Sequence, residues 1–148
     1  MAEATLPERL VIIGGGFIGL EFASMYAQFG SAVTLLDTNP TWLPREDEDM
    51  ARTISNILTN KGVKLELGVC LLRVESSPDA EDVVVYENQQ GETLRLPAAA
   101  ILVATGRTPN VASLNLAAAG IEQDVRGFVQ VNERLQTNVP HIWALGDV

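Results

Sequence analysis

The sequence predicts an α/β fold built on a parallel sheet flanked by helices, with a three-stranded antiparallel meander inserted. Three observations carry that prediction. Short apolar runs at Leu10–Ile13 and Ala32–Leu36 bracket a helix-spaced segment, Phe17–Phe29. Glycines stand at the joints, Gly14-Gly15-Gly16 after the first run and Gly30 after the helical one. Further along, three short β-type segments succeed one another, with turn residues between the last two.

Leu10–Ile13 is a continuous apolar run of the kind buried on both faces of a parallel sheet. In the next segment Phe17, Leu20, Met25 and Phe29 recur at helical spacing with small residues between, and Gly30 ends the helix. Ala32–Leu36 is a second buried strand that closes with Asp37, and right-handed crossover geometry makes the two strands parallel and adjacent. Asn39–Glu46 holds two prolines and reads as a loop. Asp47–Asn60 reads as a helix, with Asp47, Glu48 and Asp49 at the end where the helix dipole favours negative charge. Gly62 follows it, and Val63–Leu67 returns to the sheet as another parallel strand. Leu71–Glu75, Val83–Glu87 and Thr93–Leu96 make the meander, with Asn88–Gly91 as the turn between the last two. Ala98–Ala104 is a further buried strand, broken by Gly106–Asn110. Phe128–Val131 and Ile142–Leu145 read as short strands. With no repeat, low-complexity tract or linker, residues 1–148 are expected to form one domain.

Composition sets limits on function. The 148 residues are 47% hydrophobic with 12 glycines, which suits a compact α/β protein with a substantial core. No apolar stretch approaches the ~20 residues that cross a bilayer. Met1–Leu6 does not read as a signal peptide, so the cytoplasm is the expected location, with no membrane partner. Nineteen acidic residues against ten basic ones give a net charge of −9. No Lys/Arg cluster exists to displace counterions, which argues against a nucleic-acid partner. A phosphate-bearing ligand must therefore be held by local backbone geometry against the overall field. The single cysteine, Cys70, forbids an internal disulfide or a Cys-x-x-Cys redox pair.

Gly14-Gly15-Gly16-Phe17-Ile18-Gly19 satisfies G-x-G-x-x-G between a strand and a helix. Gly14 permits the tight turn, Gly16 lets backbone approach a pyrophosphate with no Cβ in the way, and Gly19 lets the helix pack closely on the strand. The helix N-terminus beyond supplies free N–H groups and a partial positive charge. Taken alone, the pattern fits a glycine-rich loop without a ligand just as well. Asp37 changes that: it ends the second strand eighteen residues after Gly19, where a carboxylate accepts both ribose hydroxyls of an adenosine. The segment then reads as a Rossmann-like dinucleotide site. A 2′-phosphate beside Asp37 meets like charge, and the next basic residue, Arg45, lies beyond Pro40 and Pro44. NAD(H) is favoured over NADP(H).

Three separated segments carry a family resemblance: Leu10–Glu21 (LVIIGGGFIGLE), Ala104–Asn110 (ATGRTPN) and Thr137–Val148 (TNVPHIWALGDV). In order and spacing they resemble the pyridine nucleotide-disulfide oxidoreductases, the family of lipoamide dehydrogenase, glutathione reductase and mercuric reductase. The resemblance covers essentially the whole chain. Leu43–Asp47 looks most like the mercuric-reductase-like branch, which includes bacterial flavoproteins for resistance to reactive chlorine. In this family an FAD domain is interrupted by a central NAD(P)H domain and then resumes. The resemblance implies that the chain is that central domain, ending where the FAD domain resumes, in a parent enzyme that is a homodimer. It further implies that Gly14, Gly15, Gly16, Phe17, Ile18 and Gly19 line the NAD pyrophosphate site and that Asp37 holds the adenosine ribose. Glu21 matches the glutamate near the nicotinamide when hydride passes to the flavin. Gly106 matches a glycine that lets backbone approach the dinucleotide, and Leu71 a position whose backbone meets adenine. Gly146 and Asp147 match a Gly-Asp pair that contacts FAD. The redox cysteine pair, the catalytic His-Glu pair and the dimerisation domain of the family fall outside this region, so the chain alone is expected to be catalytically incomplete.

From the residues alone, plainer readings stand beside these. Glu21 complements a helix dipole at ~0.3–1 kcal/mol. Arg107 is an exposed loop cation or pairs across the interface to the FAD domain, and Asn110 caps a short helical turn. Trp42 and Trp143 pack, His141 is solvated, and Cys70 is a buried small hydrophobe. Three other functions remain open: a flavin-dependent NADH oxidase or ferredoxin-reductase relative, a non-catalytic NAD sensor, and a glycine loop that binds FAD itself. The sensor gives no reason for the meander or for Ala-Leu-Gly-Asp-Val at 144–148. FAD loops usually carry smaller residues where Phe17, Ile18 and Glu21 stand.

Overall fold

A computed structural model describes residues 5–77 and 80–148, and the chain divides into two compact units, Met1–Thr105 and Gly106–Val148. In the first unit the order is β1 (Arg9–Ile13), α1 (Phe17–Phe29), β2 (Ala32–Asp37), α2 (Glu48–Asn60), β3 (Lys64–Leu67), β4 (Cys70–Ser77), β5 (Ala80–Glu87), β6 (Thr93–Ala98) and β7 (Ala100–Val103). Four strands form a parallel sheet in the order β3-β2-β1-β7, and β4-β5-β6 form a separate antiparallel sheet. In register, Leu10 lies opposite Val33 and Ala100, and Ile13 opposite Leu36 and Val103.

The two-residue alternation of β1 and β2 divides their side chains between two cores. Leu10, Ile12, Val33 and Leu35 join Ala23 of α1 and Ala51 and Leu58 of α2. Val11, Ile13 and Leu36 join Val84, Tyr86 and Ala98 of the meander. The helices thus cover one face of the parallel sheet and the antiparallel sheet covers the other. This is why a continuous apolar run, with no polar alternation, is the correct sequence signal for β1.

Local chemistry sets the helix ends. Gly30 terminates α1 in the left-handed conformation (φ 104°), its N–H donating back to Ala27 O and Tyr26 O. Asp47 stands at the N-cap of α2, Glu48 and Asp49 fill its first turn, and Arg52 pairs with Glu48 at 2.6 Å one turn on. The strand read as Ala98–Ala104 is shorter: Ala98 ends β6, and the ladder with β1 runs over Ala100–Val103. Cys70 is exposed, not buried, because it opens β4 at the edge of the antiparallel sheet, just before a register shift between Leu71 and Arg73.

The second unit contains two short 3-10 turns, Ala112–Leu114 and Leu116–Ala119. Val111 occupies the cap position of the first without a side-chain bond, so Asn110 does not cap it. The two strands read at Phe128–Val131 and Ile142–Leu145 reduce to single bridges, Gln123 with Val129 and Gln136 with Trp143. Side chains compete for the backbone there. Asp124 Oδ1 accepts the N–H groups of Arg126 and Phe128, and Asn132 Oδ1 accepts those of Arg134 and Gln136, which builds turns in place of ladders. Trp143 is 54% exposed, so the packing role expected for it does not hold. No helix among the described residues is long and apolar enough to cross a membrane.

Candidate functional site

The parallel sheet changes direction of growth at β1: the chain passes to β2 on one side, and β7 completes the sheet on the other. In open α/β sheets, ligands bind beyond the carboxyl ends of the strands at such a switch point. The glycine loop leaves β1 there. Gly14 N–H donates to Leu36 O at 2.8 Å and Ala104 N–H donates to Ile13 O at 2.7 Å, which holds the loop between its neighbours.

Each glycine in the loop has a separate reason. Gly14 has φ 109°, and a Cβ on it would stand 2.5 Å from Ala104 O. Gly15 N–H donates to Asp37 Oδ2 at 2.6 Å; a Cβ there would run into that same carboxylate and come 3.0 Å from Trp42 Cζ3. At Gly16 a Cβ would meet nothing within 4 Å, so this side of the loop is open. At Gly19 a Cβ would fall on Gly14 O, while Ile12 Cγ2 of the strand would lie at an ordinary 3.5 Å. The close approach that Gly19 permits is therefore mainly between α1 and the loop itself.

The N-terminus of α1 is unlike that of α2. Gly16 provides no side-chain cap, and the first turn contains no acid. The N–H groups of the first turn have no intrahelical acceptor, and their partial positive charge is not answered from within the helix. Phe17 and Ile18, which begin that turn, are 62% and 40% exposed. Glu21 stands one turn further along α1, exposed to solvent.

Asp37 is half-buried at the end of β2, beside the loop. Its Oδ2 receives Gly15 N–H, and its Oδ1 receives both the backbone N–H of Asn39 (2.7 Å) and the Asn39 side-chain Nδ2–H (2.9 Å). Two further bonds tie this corner to the entry of β4: Gly68 N–H to Asn39 O at 2.8 Å and Val69 N–H to Asp37 O at 3.0 Å. Leu71 follows two residues later and is 38% exposed. Trp42 is buried and packs in the helix-side core, as read from the sequence. Arg45 is exposed in the loop between β2 and α2.

The remaining candidates lie in the second unit. Gly106 has φ 133° and Gly146 φ 90°. Arg107 donates to Asp147 Oδ2 at 2.5 Å, both side chains being exposed, so Arg107 pairs within its own unit. His141 is exposed. The sequence reading brought out the glycines and Asp37 but missed Asn39. The signal available was Asp-x-Asn at the end of a strand, a spacing that favours a turn closed by the aspartate side chain.

Comparison with known proteins gives a consistent picture. The family model described as pyridine nucleotide-disulphide oxidoreductase matches residues 1–148. The probable pyridine nucleotide-disulfide oxidoreductase RclA of Escherichia coli is 44% identical over 146 residues, covering 97% of this chain and 31% of that protein. Dihydrolipoyl dehydrogenase of Thermus scotoductus is 38% identical, covering 99% of this chain and 32% of that protein. Among solved structures, the HOCl-induced flavoprotein disulfide reductase RclA from Escherichia coli superposes with a TM-score of 0.87 at 41% identity. That alignment covers 99% of this chain and 32% of the other. The chain spans about a third of the length of the relatives it matches.

Proposed function

The chain belongs to the pyridine nucleotide-disulphide oxidoreductase family, and from that premise we propose that it is the NAD(H)-binding domain of an FAD-dependent disulfide reductase. The observation that carries the reading is the joined pair of loop and acid: Gly15 N–H bonded to Asp37 Oδ2 at the switch point of the sheet. A dinucleotide fits the residues present. The open side of Gly16 and the uncapped, acid-free N-terminus of α1 suit a pyrophosphate, and the Asp37 carboxylate suits the adjoining ribose.

When bound, NADH supplies the hydride, and the flavin of the parent enzyme is its acceptor. This chain's own residues bind and orient. The N–H groups at Phe17 and Ile18 hold the phosphates without any lysine or arginine, which suits a protein of net charge −9. Asp37 orients the adenosine end and repels a 2′-phosphate, favouring NADH over NADPH. Exposed Glu21 lies further along α1, on the route toward the nicotinamide that the family resemblance implies. Gly106, Gly146 and Asp147, in the second unit, are assigned to the dinucleotide and to the flavin of the parent by the same resemblance.

Calorimetric titration of the chain with NADH, NADPH and FAD tests this reading. Saturable binding of NADH, weaker binding of NADPH and weaker still of FAD is the expected order. Tighter binding of FAD than of NADH would transfer the glycine loop to the flavin and overturn the assignment.

A further inference from the structure

A carboxylate offers about four acceptor positions, two on each oxygen. In Asp37, Oδ1 already receives two N–H groups from Asn39 and Oδ2 receives one from Gly15. One position remains, on Oδ2. A ribose diol brings two hydroxyl donors, so Asp37 in this arrangement takes one of them and the other needs a different acceptor.

Asn39 supplies it. Its Nδ2 is directed at Asp37 Oδ1 at 2.9 Å, which fixes the amide plane beside the carboxylate and identifies the other amide atom as the carbonyl oxygen, since two acceptors would repel. The residue is exposed, and its backbone is held at both ends, by its N–H on Asp37 and by its C=O receiving Gly68 N–H. We propose that Asn39 is a specificity-determining residue of the site, its side-chain oxygen accepting one adenosine ribose hydroxyl while Asp37 Oδ2 accepts the other. The pair also sharpens the choice between nucleotides. A 2′-phosphate removes one of the two hydroxyl donors that the pair accepts and adds charge beside the carboxylate.

This inference rests on the NAD(H) reading, and one experiment separates the two. Dissociation constants are measured for the full chain and for Asn39→Ala with NADH and with its adenosine-ribose 2′-deoxy and 3′-deoxy analogues. The unaltered chain binds NADH, and Asn39→Ala weakens that binding about fivefold, the equivalent of one hydrogen bond. With the analogue lacking the hydroxyl that Asn39 accepts, the two proteins bind equally; with the other analogue the fivefold difference persists. A penalty of equal size for all three ligands, as a purely structural role through Asp37 gives, overturns the inference, as does no penalty at all. Absence of NADH binding by the unaltered chain overturns this inference and the functional reading together. Asn39→Asp provides a second variant of the same shape, expected to lose more NADH affinity than Asn39→Ala because it sets a second carboxylate against Asp37.

Discussion

Gly19→Ala offers a test in which the sign of the effect is the result. Exchanging glycine for alanine within a helix ordinarily stabilises by about 1 kcal/mol, because glycine loses more backbone freedom on folding. Gly19 lies in the first turn of α1, so propensity alone predicts a gain. The structure predicts the opposite. The added Cβ would fall on the carbonyl oxygen of Gly14, a backbone atom held by the bond from Gly14 N–H to Leu36 O, so no side-chain rotation relieves it. Overpacking of this kind costs about 1–3 kcal/mol. With an immovable partner the upper end applies, and subtracting the propensity gain leaves a net loss of roughly 2 kcal/mol. For a chain of this length that lowers Tm by about 4–8 °C. Urea and thermal unfolding followed by far-ultraviolet circular dichroism measure it. A Gly19→Ala protein as stable as the parent, or more so, would falsify the close packing of loop against helix.

Other consequences divide stability from binding. Gly16→Ala meets no neighbour and is expected to change stability by less than about 1 kcal/mol, while weakening NADH binding where the pyrophosphate approaches the loop; calorimetry beside a melt reads both. Leu58, 1% exposed on α2, packs in the helix-side core, and Leu58→Ala should cost about 2–5 kcal/mol in a urea melt. Glu75 hydrogen-bonds Arg95 and Arg73, and these hold its carboxyl at about 2, below its ordinary 4.5. Between those values the unfolded chain binds the extra proton, so the stabilisation is complete above pH 4.5 and is lost as pH falls through about 2. Glu75→Gln should therefore lose less stability than the parent over that window, and an identical acid response in both proteins would count against the pairing. Cys70, exposed at the start of β4, should react fully with a thiol reagent in the native protein, whereas reaction only after denaturant would place it inside.

What could be read from the sequence was set by how local the signal was. The limits of α1 follow from Gly16 and Gly30, whose backbone roles are written in single residues. The parallel order of β1, β2 and β3 follows from apolar runs separated by helices, and the position of Asp37 follows from counting along them. Cys70 was misread because a bulged edge strand keeps the composition of a buried one while its register shifts. The strands expected in the second unit failed because Asp124 and Asn132 capture backbone N–H groups that a ladder would need. The bond from Gly15 to Asp37 was not legible, since it depends on how β1 and β2 lie side by side, whereas the bonds from Asn39 are local and follow from the Asp-x-Asn spacing. Together these bonds fasten the carboxylate and leave it one acceptor position, too few for both hydroxyls of the ribose in the proposed site.

The central claim is that the loop and Asp37 together select NADH. Its most direct test is the ratio of NADPH to NADH dissociation constants, measured by calorimetry for the chain and for Asp37→Asn. Like charge held near the carboxylate predicts a ratio of about ten or more in the unaltered chain, collapsing toward one when the charge is removed. A ratio at or below one in the unaltered chain, or a ratio indifferent to Asp37→Asn, contradicts the account.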